Sequence, residues 1–241
     1  MKYRELFWLM ALDGVFVGSK YHAGRILDER VFKCGANGYD ETIMIDKLHV
    51  VGNPWYPDEV SKSITWAMHK DVDLIITNPP QFRKWTHVSL VLASVLKSIN
   101  PKWRIVVTTS RKEYTSSDQW IGQFAKYLSD HGTIEIRQAL SKDEYYYWLS
   151  RSKVMLTNSP EENFGYCPVE AMTFDCVPIM PNHCSYPELV DSNPHLLYNP
   201  DSLDEAVEKV LRILINPEIV SSYPKKWEQA IPRMVEVMQS D

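Results

Sequence analysis

From about residue 70 to residue 215, short runs of apolar and β-branched residues alternate with longer stretches whose apolar residues recur at helical spacing. A short apolar run bounded by turn residues is typical of a buried strand, and an apolar period of about 3.6 residues is typical of a helix. Strands that alternate with helices form βαβ units, which assemble into a parallel sheet with helices on both faces. The pattern therefore predicts an α/β fold built on a Rossmann-like parallel sheet.

Local patterns assign these elements to ranges. We expect strands at 14–19, 48–53, 73–80, 103–109, 133–138, 153–158 and 176–181. We expect helices at 87–100, 117–130, 141–152, 165–174, 203–215 and 224–239. The apolar faces predicted for the first two helices are Val88, Leu92, Val95 and Leu96, and then Trp120, Phe124, Tyr127 and Leu128. Ligands of such sheets bind beyond the carboxyl ends of the strands, so the loops expected around a site are 77–84, 109–116, 137–141, 157–165 and 180–187.

Composition narrows the class of protein. The 241 residues are 44% hydrophobic and 24% charged, as in ordinary globular domains. A net charge of −5 gives no general electrostatic footprint for nucleic acid. The cysteines form no close pair, which favours reduced thiols over a zinc site: Cys34, Cys167, Cys176 and Cys184. Since no apolar run approaches about 20 residues, we expect no membrane span, and we expect a cytoplasmic location.

The stretch NSPEENFGYCPVEAM, residues 158–172, places two carboxylates on the ligand side of the predicted sheet. Glu162 lies in the loop after a strand, whereas Glu170 lies in the early turns of the helix that Gly165 opens. A helix N-terminus binds phosphate, glycine permits close approach, and a carboxylate can accept hydrogen bonds from both ribose hydroxyls. The stretch is consistent with a site for a sugar joined to a nucleotide. On spacing alone, acids that merely stabilise a helix N-terminus are the favoured alternative.

A longer ordered series surrounds the two acids: Ser159, Glu162, Phe164, Gly165, Glu170, Ala171 and Met172, then 177–179 (Val-Pro-Ile), 187–190 (Pro-Glu-Leu-Val) and 196–200. This series resembles the donor-binding half of the retaining glycosyltransferases of GT-B fold, the glycosyl transferases group 1, a large family that includes sucrose and glycogen synthases. Looser similarity extends back to about residue 14. The resemblance implies an enzyme with the Rossmann-like C-terminal domain of that fold.

The resemblance also implies roles for individual residues. Glu170 would bind the ribose hydroxyls, and Glu162 would contact the transferred sugar. Lys84 would hold the diphosphate, with Arg83 as a second candidate, so Glu162 and Lys84 are the implied catalytic pair. The other implied donor-binding residues are Gln138, Leu140, Ser159, Asn163, Phe164 and Gly165. The implied reaction is transfer of a hexose or pentose from a nucleotide-diphosphate sugar, with retention of configuration and with neither a metal nor a further cofactor.

Two departures from the family pattern leave alternatives open. Thr77-Asn78-Pro79-Pro80 stands where the family has Gly-Arg, and Trp85 stands where it has glycine. The chain is also short for two domains, which together need roughly 350 residues. The implied domains are therefore a remnant of the acceptor-side domain with its connector at 1–56, the nucleotide-sugar-binding domain at 57–222 and a C-terminal helix at 223–241 that crosses back.

Because the acceptor half is reduced, we weigh three arrangements. The chain is an enzyme by itself, an enzyme whose acceptor half comes from a second copy or a partner chain, or a non-catalytic subunit that binds a nucleotide sugar. The acceptor is a sugar, a lipid or a base of DNA or tRNA. The segment MPNHCSYPELV favours the last of these acceptors, since it resembles part of the enzymes that glycosylate a modified base in transfer RNA.

Overall fold

The computed structural model describes residues 15–28, 48–52, 60, 62, 65–112, 119–216 and 230–239. The chain divides into two compact units. One unit consists of Met1–Tyr56 together with Lys225–Asp241, and the other is Pro57–Pro224. The α/β class predicted from the sequence is confirmed.

The strands of the described ranges follow the chain as β1 (Val15–Val17), β2 (Leu48–Val50), β3 (Val72–Ile76), β4 (Ile105–Thr108), β5 (Glu135–Arg137), β6 (Ser152–Leu156), β7 (Val177–Pro181) and β8 (Leu197–Tyr198). Six of them form one parallel sheet in the spatial order β5-β4-β3-β6-β7-β8. The direction of winding reverses between β3 and β6, and a crevice at such a switch point is where doubly wound sheets bind ligands.

The α-helices of the described ranges are α1 (Lys20–Asp28), α2 (Thr86–Ile99), α3 (Gln119–Asp130), α4 (Lys142–Arg151), α5 (Tyr166–Thr173), α6 (Tyr186–Leu189), α7 (Leu203–Ile215) and α8 (Ala230–Gln239). A 3-10 turn, Phe82–Lys84, precedes α2. No helix within these ranges is long and apolar enough to cross a bilayer.

The sheet is buried on both faces, as a parallel sheet covered by helices must be. Every residue of β4 and of β7 is buried, and so are four of the five residues of β3. The strands therefore consist of continuous apolar runs instead of alternating apolar and polar residues. This burial fixes the strand ends, and with them the loops that carry the polar residues of the candidate site.

Local capping sets the helix boundaries. Ser141 and Glu144 form the predicted capping box at the start of α4, with each side chain accepting from the other residue's backbone N–H. At the end of α3, Gly132 adopts φ +69°, and the N–H of Thr133 donates to the Leu128 carbonyl. This is the left-handed Schellman ending that favours glycine. Both caps turn the chain into the strand or helix that leads to the site.

Lys70 connects the ends of two helices. It lies on the side of the larger unit opposite to the carboxyl ends of the strands. Its ammonium donates to the carbonyl oxygens of Ser150 at 3.3 Å, Ser152 at 2.8 Å and Phe174 at 3.0 Å. A cation is favoured at helix C-termini, where the last carbonyls have no partner within the helix. Burial lowers the pKa of Lys70. The contacts join the end of α4 to the residue that ends α5.

The predicted strands and helices are present, with boundaries shifted by a few residues. Residues 14, 53, 113–118 and 224–229 of the predicted ranges lie outside the described part of the chain. The sequence prediction missed three short elements, α1, α6 and β8, which have nine, four and two residues.

Two helical faces were predicted correctly only in part: Leu92, Leu96 and Leu128 are buried, but other predicted residues are exposed. Val95 is 41% exposed, and Trp120 and Tyr127 are 48% and 56% exposed. The prediction gave large aromatic residues to the core, whereas the buried stripe of α3 consists of Ile121, Ala125 and Leu128. These smaller residues also recur at intervals of four and three and allow closer packing against the sheet.

The smaller unit contains a two-stranded parallel sheet and α1. Val15, Phe16 and Val17 of β1 pair with the three residues of β2 in register. Val17 and Ile26 are buried, and Val15, Ala23 and Leu48 pack against them. A parallel pair with a helix in its connection is a right-handed βαβ arrangement in nearly all proteins, and this small core joins β1, β2 and α1.

Candidate active site

A cavity of about 350 Å³ lies where β3 and β4 end and α4 and α5 begin. Its wall is formed by Thr77, Thr108, Thr109, Ser110, Leu140, Ser141, Lys142, Tyr145, Cys167 and Glu170. The predicted loops 77–84, 109–116 and 137–141 all contribute residues to this wall. The volume lies within the range of small-molecule sites, about 300 to 1,000 Å³.

Glu170 is the buried carboxylate of the cavity, with an exposed fraction of 4%. Its Oε1 accepts hydrogen bonds from the Lys142 ammonium and, at 3.4 Å, from the Tyr146 hydroxyl. Its Oε2 accepts from the Tyr145 hydroxyl at 3.1 Å. A buried carboxylate needs such donors, since an unpaired buried charge is costly. These contacts hold the carboxylate at the cavity wall.

Titration of the residues around Glu170 is shifted by burial and by its charge. Burial opposes the charge of Lys142, but the hydrogen bond and the charge of Glu170 prevail and raise the pKa of Lys142. Burial raises the pKa of Tyr145 well above its usual value, and nearby Cys167 and Glu170 add to the effect. Burial and then the Glu170 charge raise the pKa of the Cys167 thiol. At neutral pH the cavity therefore has a cationic lysine beside neutral tyrosine and thiol groups.

The two predicted catalytic residues are in direct contact. The Lys84 ammonium donates to Oε2 of Glu162 at 3.1 Å and to the carbonyl of Glu161 at 3.3 Å. The side chains are 18% and 26% exposed, so the pair is only partly solvated. Lys84 ends the 3-10 turn, and Trp85 follows it in the left-handed conformation with φ +49°. The turn brings the predicted diphosphate lysine and the predicted sugar-binding acid together.

Gly165 caps α5 in the left-handed region, with φ +95°. A Cβ at this position would stand 2.8 Å from Cδ1 of Leu189, closer than side chains approach each other. The backbone N–H of Gly165 donates to Oε1 of Glu162 at 3.2 Å. From the sequence, this glycine was expected to permit the close approach of a phosphate. The structure supplies another cause, namely the backbone conformation and the packing of Leu189.

Hydrogen bonds join the loop that carries Glu162 to the loop before α6. The Ser185 hydroxyl donates to the Glu162 carbonyl at 3.0 Å, and the Cys184 thiol donates to the Pro160 carbonyl at 3.2 Å. Ser159 is 1% exposed, and its hydroxyl donates to the Glu161 carbonyl at 2.9 Å. Ser159 therefore shapes the loop, and its contact with a donor stays a prediction.

The other predicted donor-binding residues fall into two groups. Leu140 belongs to the cavity wall, and Phe164 is 4% exposed with its ring packed edge-on against Tyr166. Asn163, Arg83 and Gln138 are exposed. The structure thus places Glu170 and Leu140 at one cavity and joins Glu162, Lys84 and Gly165 in one cluster of hydrogen bonds, while the exposed residues stay predictions for donor binding.

Four wall residues lie outside the loops predicted to surround the site, namely Thr108, Lys142, Tyr145 and Cys167. The capping box offered a signal for Lys142, because it fixes the helix start and places the next residue beside the ligand-side loop. No signal distinguished Thr108 from other polar residues that end strands. Within the described ranges, no group of three His, Cys, Asp or Glu side chains is placed to hold a metal ion.

The family model described as glycosyl transferases group 1 matches residues 69–234. The match spans more than half of the 241 residues, and the chain belongs to this family. The resemblance inferred from the sequence is confirmed. No curated protein sequence matches the chain.

Solved structures of glycosyltransferases share its fold. TarM of S. aureus, in complex with UDP among other ligands, has a TM-score of 0.66 at 11% identity over 99% of this chain. The pneumococcal O-GlcNAc transferase GtfA, with UDP and GlcNAc, has a TM-score of 0.66 at 13% identity over 97%. A UDP-forming trehalose-phosphate synthase from Burkholderia xenovorans has a TM-score of 0.63 at 13% identity over 96%. At these identities the likeness shows the GT-B fold.

The chain spans about half the length of these proteins or slightly more. It covers 44% of TarM, 45% of GtfA and 58% of the Burkholderia enzyme.

Proposed function

We propose that the protein transfers a sugar from a nucleotide-diphosphate sugar to an acceptor, with retention of configuration at the anomeric carbon and without a metal ion. The observation that carries the proposal is the division of labour between two acids. Glu170 is buried in the cavity wall, whereas Glu162 forms an ion pair with Lys84 in a separate cluster of hydrogen bonds. Membership of the glycosyltransferase family supports the same reaction class.

In the proposed complex, the cavity takes the nucleoside. Glu170 accepts hydrogen bonds from the ribose hydroxyls, and Leu140 packs against the base. Since Glu170 already accepts from Lys142, Tyr145 and Tyr146, the ribose shares or displaces one of these donors. A carboxylate has about four lone-pair sites, so at least one acceptor site is left for the first hydroxyl.

The proposed chemistry places the Lys84–Glu162 pair at the diphosphate and the transferred sugar. The Lys84 ammonium stabilises the negative charge that develops on the leaving diphosphate, and the positive end of the α5 dipole adds to this stabilisation. Glu162 accepts a hydrogen bond from a hydroxyl of the sugar and holds its ring against the acceptor. Stabilisation of the leaving group is often the largest contribution to such catalysis.

A thermal-shift series with UDP-, GDP-, ADP- and dTDP-sugars tests donor binding, because a ligand that binds the folded state raises apparent stability. The UDP compounds are the first choice, since UDP is bound in the TarM and GtfA structures. The stabilising donor is then used to measure transfer or hydrolysis by the wild type and by Glu162→Gln. We expect the substitution to lower turnover at least tenfold while nucleotide affinity changes less than about twofold. Equal turnover in the two proteins would contradict the assignment of Glu162.

A second candidate function is nucleotide-sugar binding without transfer by the chain alone. It is favoured by the location of every candidate site residue described above within the Pro57–Pro224 unit. Here a second copy or a partner chain supplies the acceptor side. Donor hydrolysis or transfer by the purified chain supports the enzyme, whereas turnover that begins only when a second chain is added supports the subunit.

The acceptor class under the proposal is a sugar, a lipid or a nucleic-acid base.

The described cysteines, Cys167, Cys176 and Cys184, are free thiols. Free thiols fit the proposed cytoplasmic location, where thiols stay reduced.

A further inference from the structure

Thr108, the last residue of β4, is a buried polar residue in the wall of the cavity. It is 2% exposed. Its hydroxyl oxygen is buried and has no hydrogen-bond partner in the part of the chain that the structure describes. A buried hydroxyl without a partner loses its hydrogen bonds to water without replacement, so folded proteins seldom keep one that has no use.

Other polar groups in the same wall already have partners within the protein. The Thr109 hydroxyl accepts from the backbone N–H of Arg111 at 3.1 Å. Both oxygens of Glu170 accept hydrogen bonds, from Lys142, Tyr145 and Tyr146. The buried hydroxyl of Thr77 in the same wall also has no hydrogen-bond partner among the described residues, but it faces the Cys167 thiol. The hydrogen bond of the Thr108 hydroxyl is left for a molecule that enters the cavity.

The rest of the wall indicates which part of a ligand Thr108 meets. Leu140 and the ring of Tyr145 give the cavity apolar surface, and Glu170 offers an acceptor for hydroxyl groups. The paired cation Lys84 belongs to the Glu162 cluster and not to this wall. The cation of this wall, Lys142, is paired with Glu170. A cavity of about 350 Å³ that combines apolar surface with hydroxyl groups and a carboxylate suits a nucleoside.

We infer that Thr108 is a specificity-determining residue, whose hydroxyl forms a hydrogen bond with the nucleoside part of the nucleotide donor. The inference rests on the proposed function and adds to it a contact at the end of β4. A hydroxyl both donates and accepts, so this contact selects for a polar atom of the base or ribose without fixing its charge.

The inference makes an unusual prediction about Thr108→Val, which removes the hydroxyl and nearly preserves the shape. In the unliganded protein the substitution removes a buried polar group without breaking a described hydrogen bond, so stability stays the same or rises. In the complex it removes a hydrogen bond, so affinity falls. A residue that only supports the fold would instead lose stability and affinity together.

The experiment measures the urea midpoint and the calorimetric affinities for UDP and uridine in wild type, Thr108→Val and Thr108→Ser. We expect Thr108→Val to lower the affinities for UDP and for uridine by the same factor, roughly tenfold, with an unchanged or higher urea midpoint. Thr108→Ser keeps the hydroxyl, so its affinities should stay within about threefold of wild type. The equal factor for UDP and uridine locates the contact on the nucleoside.

Thr157→Val is the matched control. Thr157 is 3% exposed, and its hydroxyl lies 3.4 Å from the Tyr186 hydroxyl, so the substitution should lower stability with little effect on affinity. Unchanged affinity of Thr108→Val for both ligands, or a loss confined to UDP, overturns the inference while the proposed function stands. A lower urea midpoint together with lower affinity overturns it in favour of a structural role. If wild type binds none of UDP, GDP, ADP and dTDP, the proposed function and the inference both fail.

Discussion

Replacing Gly165 by alanine perturbs the point where α5 begins and the Glu162 loop ends. The substitution adds one methyl group at φ +95°, where an L-residue is strained, and places it 2.8 Å from Cδ1 of Leu189. The left-handed conformation costs a residue with a Cβ about 1 to 2 kcal/mol. Leu189 is 1% exposed and packed, so its displacement adds about 1 to 3 kcal/mol of overpacking. We therefore expect Gly165→Ala to lower the free energy of unfolding by about 2 to 5 kcal/mol.

Gly132→Ala separates the two contributions. Gly132 also has a positive φ, +69°, but a Cβ there would meet no atom within 4 Å among the described residues. This variant should lose about 1 to 2 kcal/mol, which is the backbone cost alone. Urea unfolding of both variants and the wild type gives the comparison, with unchanged slopes as the condition for interpreting the midpoints.

A double-mutant cycle with Leu189→Ala then tests the contact itself. If the leucine side chain is the obstacle, Gly165→Ala should cost at least about 1 kcal/mol less in the Leu189→Ala background than in the wild type. Equal losses for Gly165→Ala and Gly132→Ala, together with an additive cycle, would refute the packing argument and leave only backbone strain.

Three further substitutions test interactions that stabilise each of the two units by itself. Lys70→Met should lower the free energy of unfolding by about 2 to 3 kcal/mol, because three carbonyl groups lose a charged donor, and a smaller urea midpoint shift than Gly132→Ala would count against it. Glu135 has its pKa lowered from 4.5, first by its hydrogen bond to Arg104, so its contribution to stability is present above pH 4.5 and is lost as pH falls through the lower folded-state value. Urea midpoints of wild type and Glu135→Gln should accordingly converge as the pH is lowered from about 7 to about 3, and parallel curves would exclude this linkage. Gly24→Ala in α1, where an added Cβ meets no described atom within 4 Å, should raise stability by about 0.5 to 1 kcal/mol; a loss in thermal unfolding would show a contact outside the described residues.

The sheet and its helices could be predicted because buried parallel strands are continuous apolar runs. The residues of β4, Ile-Val-Val-Thr, form a run that is buried throughout. In the helix Leu203–Ile215, the buried residues recur at helical spacing. The faces of α3 could not be predicted in the same way. Trp120 and Tyr127 are apolar by composition, but packing against the sheet favours the smaller residues on the neighbouring face.

The candidate site could be predicted in part. The ordered series that resembles the family, and not spacing alone, indicated Glu162 and Glu170, and the order of strands explains why both follow the switch point. The spacing did not indicate that Lys142, Tyr145 and Tyr146 would donate hydrogen bonds to Glu170, since those residues come from another helix and meet it only through the fold. Contacts of this kind depend on tertiary distance, which a single sequence does not specify.

The central claim is that the cavity binds the nucleoside of a nucleoside diphosphate, and calorimetric titration of UDP into wild type and Glu170→Gln tests it most directly. The control is Glu208→Gln, an acid on α7 whose side chain is 69% exposed. We expect wild type and Glu208→Gln to bind UDP with the same affinity. We expect Glu170→Gln, checked for an intact urea transition, to bind at least tenfold more weakly, because an amide nitrogen replaces one acceptor oxygen. Equal UDP affinity in all three folded proteins would contradict the account.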